Sequence, residues 1–271
     1  DVYYVTDPIW SHCWAIEPAL RRFIEQYGHY FHVHTVMGGL LEKWHGGPID
    51  PANGIYGPAD VAGHWREVGK HSRMPIDGSL MIDNPVQSSF PPSRVFKVIQ
   101  KHHGEETAFQ FLRRSREKLF VFNENIGEAQ VLKEIVDDLG LDGEEIVRKA
   151  EAVKGQELLD EDFAQARRLG ARGFPTIIMV NEENKGVKIV GGRPLEHYEA
   201  GLAQVLGEQP EPKDKPPLVR LLEKEKLLFS KEIEVMYDLH EHEIDEFLRQ
   251  ELTPGTFEKK EILGETYITV K

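Results

Sequence analysis

The sequence predicts an α/β fold with a helical insertion, followed by a small α+β domain. A strand, a helix and a second strand follow one another within residues 2–37. Residues 58–155 then repeat helical patterns without a strand pattern, and a charged, proline-rich stretch at residues 208–217 precedes a final set of helices and a hairpin. Because such a stretch is typical of a semi-rigid linker, we expect one domain over residues 1–207 and a second over residues 218–271.

Charge and cysteine content exclude several classes of protein. The 271 residues carry a formal net charge of −13 and include a single cysteine, Cys13. One cysteine cannot form an internal disulfide framework, which favours a reducing compartment and therefore the cytoplasm. No apolar run is long enough to span a membrane. An acidic chain is also a poor partner for nucleic acid, because phosphate binding depends on clustered cations.

Local patterns predict the first three elements. Residues 2–5 are β-branched or aromatic, as in a central strand. From Cys13 onward, apolar residues recur at helical spacing as far as Gly28, which we expect to cap the helix. Pro18 lies inside this predicted helix, so a kink is expected there. Residues 30–37 predict a second strand, and the strand-helix-strand order favours parallel pairing through a right-handed crossover.

Helical patterns fill the insertion. They share apolar residues at intervals of three and four, without the alternation of a strand. These predicted helices cover residues 59–71, 93–103, 105–122, 127–139 and 143–152. One more helix is predicted at residues 160–169, after the insertion.

Residues 171–180 combine a glycine turn, a Pro-Thr dipeptide and an apolar strand. Proline at the first residue of a strand avoids the loss of a ladder hydrogen bond, and Pro175 is a candidate for a cis peptide bond. Residues 186–192 complete a hairpin, and residues 195–206 predict a closing helix.

The order of these segments resembles the DsbA-like branch of the thioredoxin superfamily over residues 1–207. The stretch Asp7-Pro8-x-x-x-x-Cys13-Trp14 is similar to the Asp-Pro-x-Cys-x-x-Cys-Trp segment of cytosolic members of that branch, with Trp10 at the position of the attacking cysteine. The resemblance implies that a cis-proline loop faces this stretch. It also implies a surface beside the loop that is reused for a partner, formed by Trp10, Ser11, His12, Phe174, Pro175 and Thr176.

The residues after the linker predict a winged-helix-like domain. Its expected helices cover residues 218–228, 230–237 and 240–252. Ser230 is the expected N-cap of the second helix. Residues 259–262 and 267–270 predict the two strands of a hairpin.

The combination of both domains resembles the SpxH/YjbH family. The residues that carry this resemblance in the tail are Pro216-Pro217-Leu218, Ser230-Lys231-Glu232-Ile233 and Val235-x-Tyr237-Asp238-Leu239. The resemblance spans nearly the whole chain. It implies an adaptor that binds the transcription regulator Spx and promotes its degradation by the ClpXP protease, with no cofactor and no chemistry of its own.

A cytosolic thiol oxidoreductase working through Cys13 is the alternative. With one cysteine, thiol exchange would stall at the mixed disulfide unless another protein supplied the resolving thiol. A helix N-terminus could lower the pKa of Cys13, but most free cysteines are small buried apolar residues. The residues therefore favour binding over catalysis.

DNA binding through the winged-helix-like domain is a third possibility, and charge argues against it. Residues 218–271 contain eight Lys or Arg against thirteen Asp or Glu. The helix at residues 240–252 would enter the major groove, and its acidic face would repel phosphate.

Histidines occur in local pairs, which raises the question of a metal site. The pairs are His32 with His34, His102 with His103, and His240 with His242. None has the Cys and His spacing of a structural zinc site. We therefore expect packed or solvated histidines and no metal.

Overall fold

The first part of the chain folds around a four-stranded sheet. The computed structural model describes residues 1–44 and 54–271. The strands, in the spatial order β2-β1-β3-β4, are β1 (Val2–Thr6), β2 (Val33–Met37), β3 (Thr176–Val180) and β4 (Gly186–Val190). Strand β1 is parallel to β2, whereas β3 is antiparallel to both β1 and β4. The predicted α/β fold, its parallel strand pair and its hairpin are confirmed.

Two helices, rather than one kinked helix, follow β1. Helix α1 (Ser11–Ala15) is capped by Ile16, and α2 (Glu17–Tyr27) begins at the next residue. Pro18 therefore lies in the first turn of α2, where a backbone N–H would have no helical partner. The predicted interior kink is wrong because the chain starts a new helix at this proline.

The segment between β2 and β3 is built from helices. These are α3 (Pro58–Ser72), α4 (Leu80–Asp83), α5 (Phe90–His103), α6 (Glu105–Arg116), α7 (Ala129–Asp138), α8 (Gly143–Glu151) and α9 (Val153–Arg168), and α10 (Leu195–Leu206) follows β4. The sequence patterns missed the single turn of α4 and the first two turns of α9. The predicted helix at residues 105–122 continues past α6 as a π-helical turn, Glu117–Val121.

Helices cover both faces of the sheet. Tyr4 packs with Phe23 of α2 and Tyr198 of α10, whereas the next residue, Val5, packs with Ala166 of α9. Alternation along β1 therefore places successive side chains in two different cores. None of the helices in residues 1–44 and 54–271 combines the length and the apolar sequence that a membrane span requires.

The last part of the chain forms three helices and a second sheet. Its elements are α11 (Leu218–Glu225), β5 (Leu227–Phe229), α12 (Ser230–Tyr237), α13 (Ile244–Glu251), β6 (Phe257–Ile262) and β7 (Glu265–Val270). The sheet is antiparallel with the order β5-β7-β6. The predicted hairpin is confirmed, and the resemblance to a winged helix stays a prediction.

Two details at the start of α12 differ from the sequence prediction. Residues 227–229 form β5 instead of ending the helix predicted at residues 218–228. Phe229, not Ser230, is the N-cap of α12, and the carboxylate of Glu232 accepts the Phe229 N–H at 3.0 Å. A short apolar run such as residues 227–229 fits a strand as well as a helix end, so periodicity alone could not separate the two.

Candidate functional site

The start of α1 lies against the loop that precedes β3. Trp10, the residue before α1, donates a hydrogen bond from its indole Nε1 to the carbonyl oxygen of Phe174 at 2.8 Å. The peptide bond between Phe174 and Pro175 is cis. The two stretches that the sequence singled out therefore meet in space, joined through the side chain that replaces the attacking cysteine.

A glycine at the end of β2 sets how closely this loop approaches the sheet. The ring of Phe174 lies on Gly38, where a β-carbon would overlap the ring atoms. The Gly38 N–H donates to the carbonyl oxygen of Thr6 at 2.7 Å and so extends the pairing of β1 with β2. The only signal for this role in the sequence is the pair Gly38-Gly39 directly after a strand.

Trp10, His12 and His64 form an aromatic group beside the loop. Ring centroids are 5.6 Å apart for Trp10 and His12, 6.3 Å for Trp10 and His64, and 5.4 Å for the two histidines. Burial, and next the proximity of His64, lowers the pKa of His12, which favours the neutral form of this ring. His64 comes from α3 in the insertion and was not among the predicted site residues.

The six residues of the predicted partner surface differ in exposure. Three of them are buried, namely Ser11, Pro175 and Thr176. Three are half-buried, namely Trp10, His12 and Phe174. Direct contact with a partner at this place would therefore be made by the half-buried residues together with His64.

Cys13 is inaccessible. Its relative exposure is 0%. Burial raises the pKa of the thiol above its usual value, and this effect outweighs the lowering influence of Arg116. The thiolate is the reactive form of cysteine, so the structure lacks an activated nucleophile at this position. The chain also has no second cysteine with which Cys13 could form an internal disulfide.

Asp7 connects the end of β1 to two other segments. Its carboxylate accepts hydrogen bonds from the Ile9 N–H at 3.0 Å, the Leu40 N–H at 2.7 Å and the Ser89 hydroxyl at 2.9 Å. The side chain is fully buried, and burial raises its pKa from 3.8 to about 6 against the lowering effect of these donors. Asp7 is therefore a buried acid that titrates near neutral pH.

A buried cluster of charges lies behind the site and extends to the C-terminal part of the chain. Arg116 donates to Glu17 and to the Thr6 hydroxyl, both at 2.6 Å. Arg113 donates two hydrogen bonds to Glu232 of α12, at 2.7 and 2.8 Å. Because Glu232 lies beyond residues 208–217 in sequence, this cluster connects α12 to α6 of the helical insertion.

Across residues 1–44 and 54–271, no three His, Cys, Asp or Glu side chains are placed to hold a metal ion. His12 and His64 are neighbours, but two imidazoles provide only part of the four-ligand set of a structural zinc site.

The chain is similar to known proteins over most of its length. A family model described as Thioredoxin matches residues 3–200. The ClpXP adapter protein SpxH of Halalkalibacterium halodurans is 30% identical over 256 residues, which cover 92% of this chain and 81% of the relative. The ClpXP adapter protein SpxH of Bacillus subtilis strain 168 is 28% identical over 254 residues, which cover 92% of this chain and 82% of that protein.

The fold of this chain is also similar to that of solved structures. The cytosolic disulfide reductase DsbM from Pseudomonas aeruginosa superposes with a TM-score of 0.60 at 21% sequence identity, over 76% of this chain and 98% of DsbM. At this identity the likeness concerns the fold alone. It agrees with the DsbA-like fold predicted from the sequence.

Proposed function

The chain belongs to the SpxH family of ClpXP adapter proteins, and from this premise we propose that it binds the transcription regulator Spx and promotes its degradation by ClpXP. On this proposal the protein acts in the cytoplasm and performs no chemistry of its own. The proposal that it performs no chemistry rests on the arrangement at the start of α1. Trp10 stands where an exchanging enzyme needs its attacking cysteine, and Cys13 is fully buried.

The site supports binding better than thiol exchange for a physical reason. An exchange reaction needs a thiolate that reaches the substrate disulfide. Here burial raises the pKa of Cys13. The indole N–H of Trp10 donates a hydrogen bond to the carbonyl oxygen of Phe174 in the adjacent loop. What the surface offers instead is a group of aromatic rings, which is typical of residues that anchor a protein partner.

The proposed mechanism is a shift of populations. An adapter that binds one conformation of its substrate more tightly than the others raises the population of that conformation. If the degradation signal of Spx is accessible in the bound conformation, ClpXP captures Spx faster without any covalent step. The rigid attachment of the Trp10 side chain to the Phe174 loop suits such a preformed surface.

The test is a reconstituted degradation assay with purified ClpXP and Spx. We expect the wild-type protein and the Cys13→Ala variant to accelerate loss of Spx equally, and neither to reduce insulin. We expect Trp10→Ala to weaken Spx binding by about tenfold or more, as for a central aromatic anchor. Val153→Ala, which truncates an exposed apolar side chain outside this surface, is the matched control.

One outcome would contradict the adapter proposal, and a second would contradict only the role of the surface around Trp10. Reduction of insulin that depends on Cys13, without any effect on Spx, would replace the adapter with the oxidoreductase alternative. Equal Spx binding by the wild-type protein and Trp10→Ala would leave the adapter role intact but remove the surface around Trp10 from the contact with Spx.

A further inference from the structure

The two edge strands of the four-stranded sheet differ in whether their outward backbone groups are hydrogen-bonded. At the edge formed by β2, side chains of the helical insertion form hydrogen bonds with the backbone groups that point away from the sheet. The Thr35 N–H donates to Glu105 at 2.8 Å, and the Met37 N–H donates to Asp162 at 2.7 Å. The side-chain amide of Gln100 donates to the Thr35 carbonyl at 3.0 Å. This edge is closed to a further strand.

The edge formed by β4 is open. Asn181 N–H donates to the Lys185 carbonyl at 2.9 Å, and Gly191 N–H donates to the Pro175 carbonyl at 2.8 Å. In an antiparallel pair, every second residue of a strand exchanges hydrogen bonds with the partner strand. The two bonds above place residues 187 and 189 among those that bond to β3, so the backbone groups of residues 186, 188 and 190 point outward. Within the described part of the chain, none of these outward N–H groups donates a hydrogen bond.

Side chains along the open edge give it a basic and partly apolar character. Between Asn184 and Leu195 the only charged residues are Lys185, Lys188 and Arg193, in a chain whose net charge is −13. Lys185 pairs with Glu183, whereas Lys188 and Arg193 form no salt bridge among the described residues. The Lys188 ammonium donates to the Gly170 carbonyl at 2.7 Å, a neutral acceptor that leaves its charge uncompensated. On the same face as Lys188, Val190 is 53% exposed. An incoming strand would therefore meet positive charge and an uncovered apolar side chain.

The opposite face of β4 is apolar and covered by a helix. Val187 and Ile189 alternate with Lys188 and pack toward Gly201 of α10. A strand added beside β4 would extend both faces, so its side chains would lie alternately next to Lys188 and next to Ile189. Acidic residues fit the first environment and apolar residues fit the second.

A second copy of this chain is a poor occupant for the edge. In an antiparallel pair of two β4 strands centred on the outward-facing Lys188, each Lys188 would lie opposite the other. Like charges directly opposite each other across a strand pair are destabilising, and lysine on an edge strand commonly prevents self-pairing. The charge pattern thus favours a heterologous, acidic partner.

We propose that β4 is a strand-addition site that takes an extended segment of another protein, in which apolar residues alternate with Asp or Glu. Backbone hydrogen bonds to residues 186, 188 and 190 would supply affinity, and the alternation of side chains would supply specificity. This proposal is independent of the identity of the adapter's substrate, because it rests on the register and charge of β4 alone.

The experiment uses fluorescence anisotropy with a labelled nine-residue peptide in which valine alternates with glutamate. Lys188→Pro removes one outward N–H donor and leaves the bonds to β3 intact, which an edge strand tolerates. We expect Lys188→Pro to weaken peptide binding by about tenfold or more. Lys188→Gln, which loses only the charge, should weaken it by about threefold. A peptide with lysine in place of glutamate should bind about tenfold more weakly than the acidic peptide.

Hydrogen exchange of the wild-type protein provides a measurement that needs no variant. In the free protein we expect the amides of residues 187 and 189 to be protected and those of 188 and 190 to exchange quickly. Saturation with the acidic peptide should protect residues 188 and 190. Equal affinity for the wild-type protein and a folded Lys188→Pro variant, or no binding at about 1 mM peptide, would overturn the proposal. A dimer abolished by Lys188→Pro would also overturn it, since the edge would then belong to a second copy.

Discussion

At the scale of single residues, Asp7 has the most unusual environment in the site. It follows directly after β1, and its carboxylate holds the backbone at Ile9 and Leu40. Three donors normally stabilise an ionised carboxylate and lower its pKa. Burial outweighs them here, because a fully buried carboxylate loses its hydration and only part of that loss is recovered from neutral donors.

This environment predicts a stability that falls as the pH rises. The pKa of Asp7 is 3.8 in an unfolded chain and about 6 in the folded protein, so the folded state binds more protons between these values. The contribution of Asp7 to the free energy of unfolding should therefore decline from about pH 4 to about pH 6, by about 3 kcal/mol at most. Urea unfolding of the wild-type protein and Asp7→Asn across this pH range measures the effect.

The difference between the two proteins isolates Asp7. Burial also raises the pKa of Asp162, but this residue is present in both proteins and contributes the same slope to each. We expect the free energy of unfolding of Asp7→Asn minus that of the wild-type protein to rise between about pH 4 and 6 and to level off above that range. A constant difference between pH 4 and 8 would show that the Asp7 carboxylate does not change its protonation on unfolding.

At the scale of elements, the site depends on how closely β2 and the loop before β3 approach each other. Replacing Gly38 with alanine would place a methyl group inside the ring of Phe174. The ring must move, and the carbonyl that accepts the Trp10 hydrogen bond moves with its residue. We expect Gly38→Ala to lower the free energy of unfolding by about 1–3 kcal/mol, as for overpacking, and to change tryptophan fluorescence.

Gly63→Ala is the matched control for this change. Gly63 lies in the interior of α3, and a β-carbon there would meet no atom within 4 Å. Alanine is favoured over glycine at an exposed helical position by about 0.5–1 kcal/mol, so this variant should be slightly more stable than the wild-type protein. If Gly38→Ala is as stable as Gly63→Ala, the contact with Phe174 does not limit the approach of the loop.

The elements that sequence patterns predicted well are those set by local periodicity. Residues 195–206 and 230–237 have the helix bounds that the patterns indicated, because apolar spacing and flanking breakers act within one turn. The patterns failed at Pro18, where two helices meet, and at β5, which exists because β7 pairs with it. Long-range pairing of this kind leaves no local signal.

The same distinction applies to the candidate site. The Trp10 and Pro175 stretches could be identified from the sequence, because each carries a recognisable local motif. His64 could not, since it reaches Trp10 only through the packing of α3 against α1. The closure of the β2 edge by Glu105 and Asp162 was equally invisible, because both carboxylates come from helices distant in sequence.

At the scale of the whole molecule, buried ion pairs join the two folded parts. Arg113 is 1% exposed and forms a two-bond contact with Glu232, while its Nε donates to Glu117 at 2.7 Å. Its guanidinium also lies 4.7 Å from the centre of the Trp14 ring. Arg21 pairs with Glu225 of α11 in the same interface. The C-terminal part is therefore attached by charges that water does not screen, and not only by the linker.

This attachment predicts that a single arginine controls the docking of the C-terminal part. Arg113→Met would remove the two-bond partner of the buried Glu232 and would leave Glu117 paired with Arg114 alone, which should cost about 3–5 kcal/mol. Urea unfolding at pH 7 measures the loss, and limited proteolysis should cut faster within residues 208–217. Lys154→Met, which breaks an exposed pair with Glu157, is the control and should change stability by no more than about 0.5 kcal/mol.

A double variant separates the loss of the ion pair from the loss of packing. The double variant Arg113→Met and Glu232→Gln no longer has the unpaired carboxylate of Glu232. It should therefore be more stable than the sum of the two single changes predicts. The remaining cost then reflects Glu117 and the contact with Trp14. A loss below about 1 kcal/mol for Arg113→Met would mean that apolar packing alone holds the two parts together. In that case the charges would determine only how the parts are oriented.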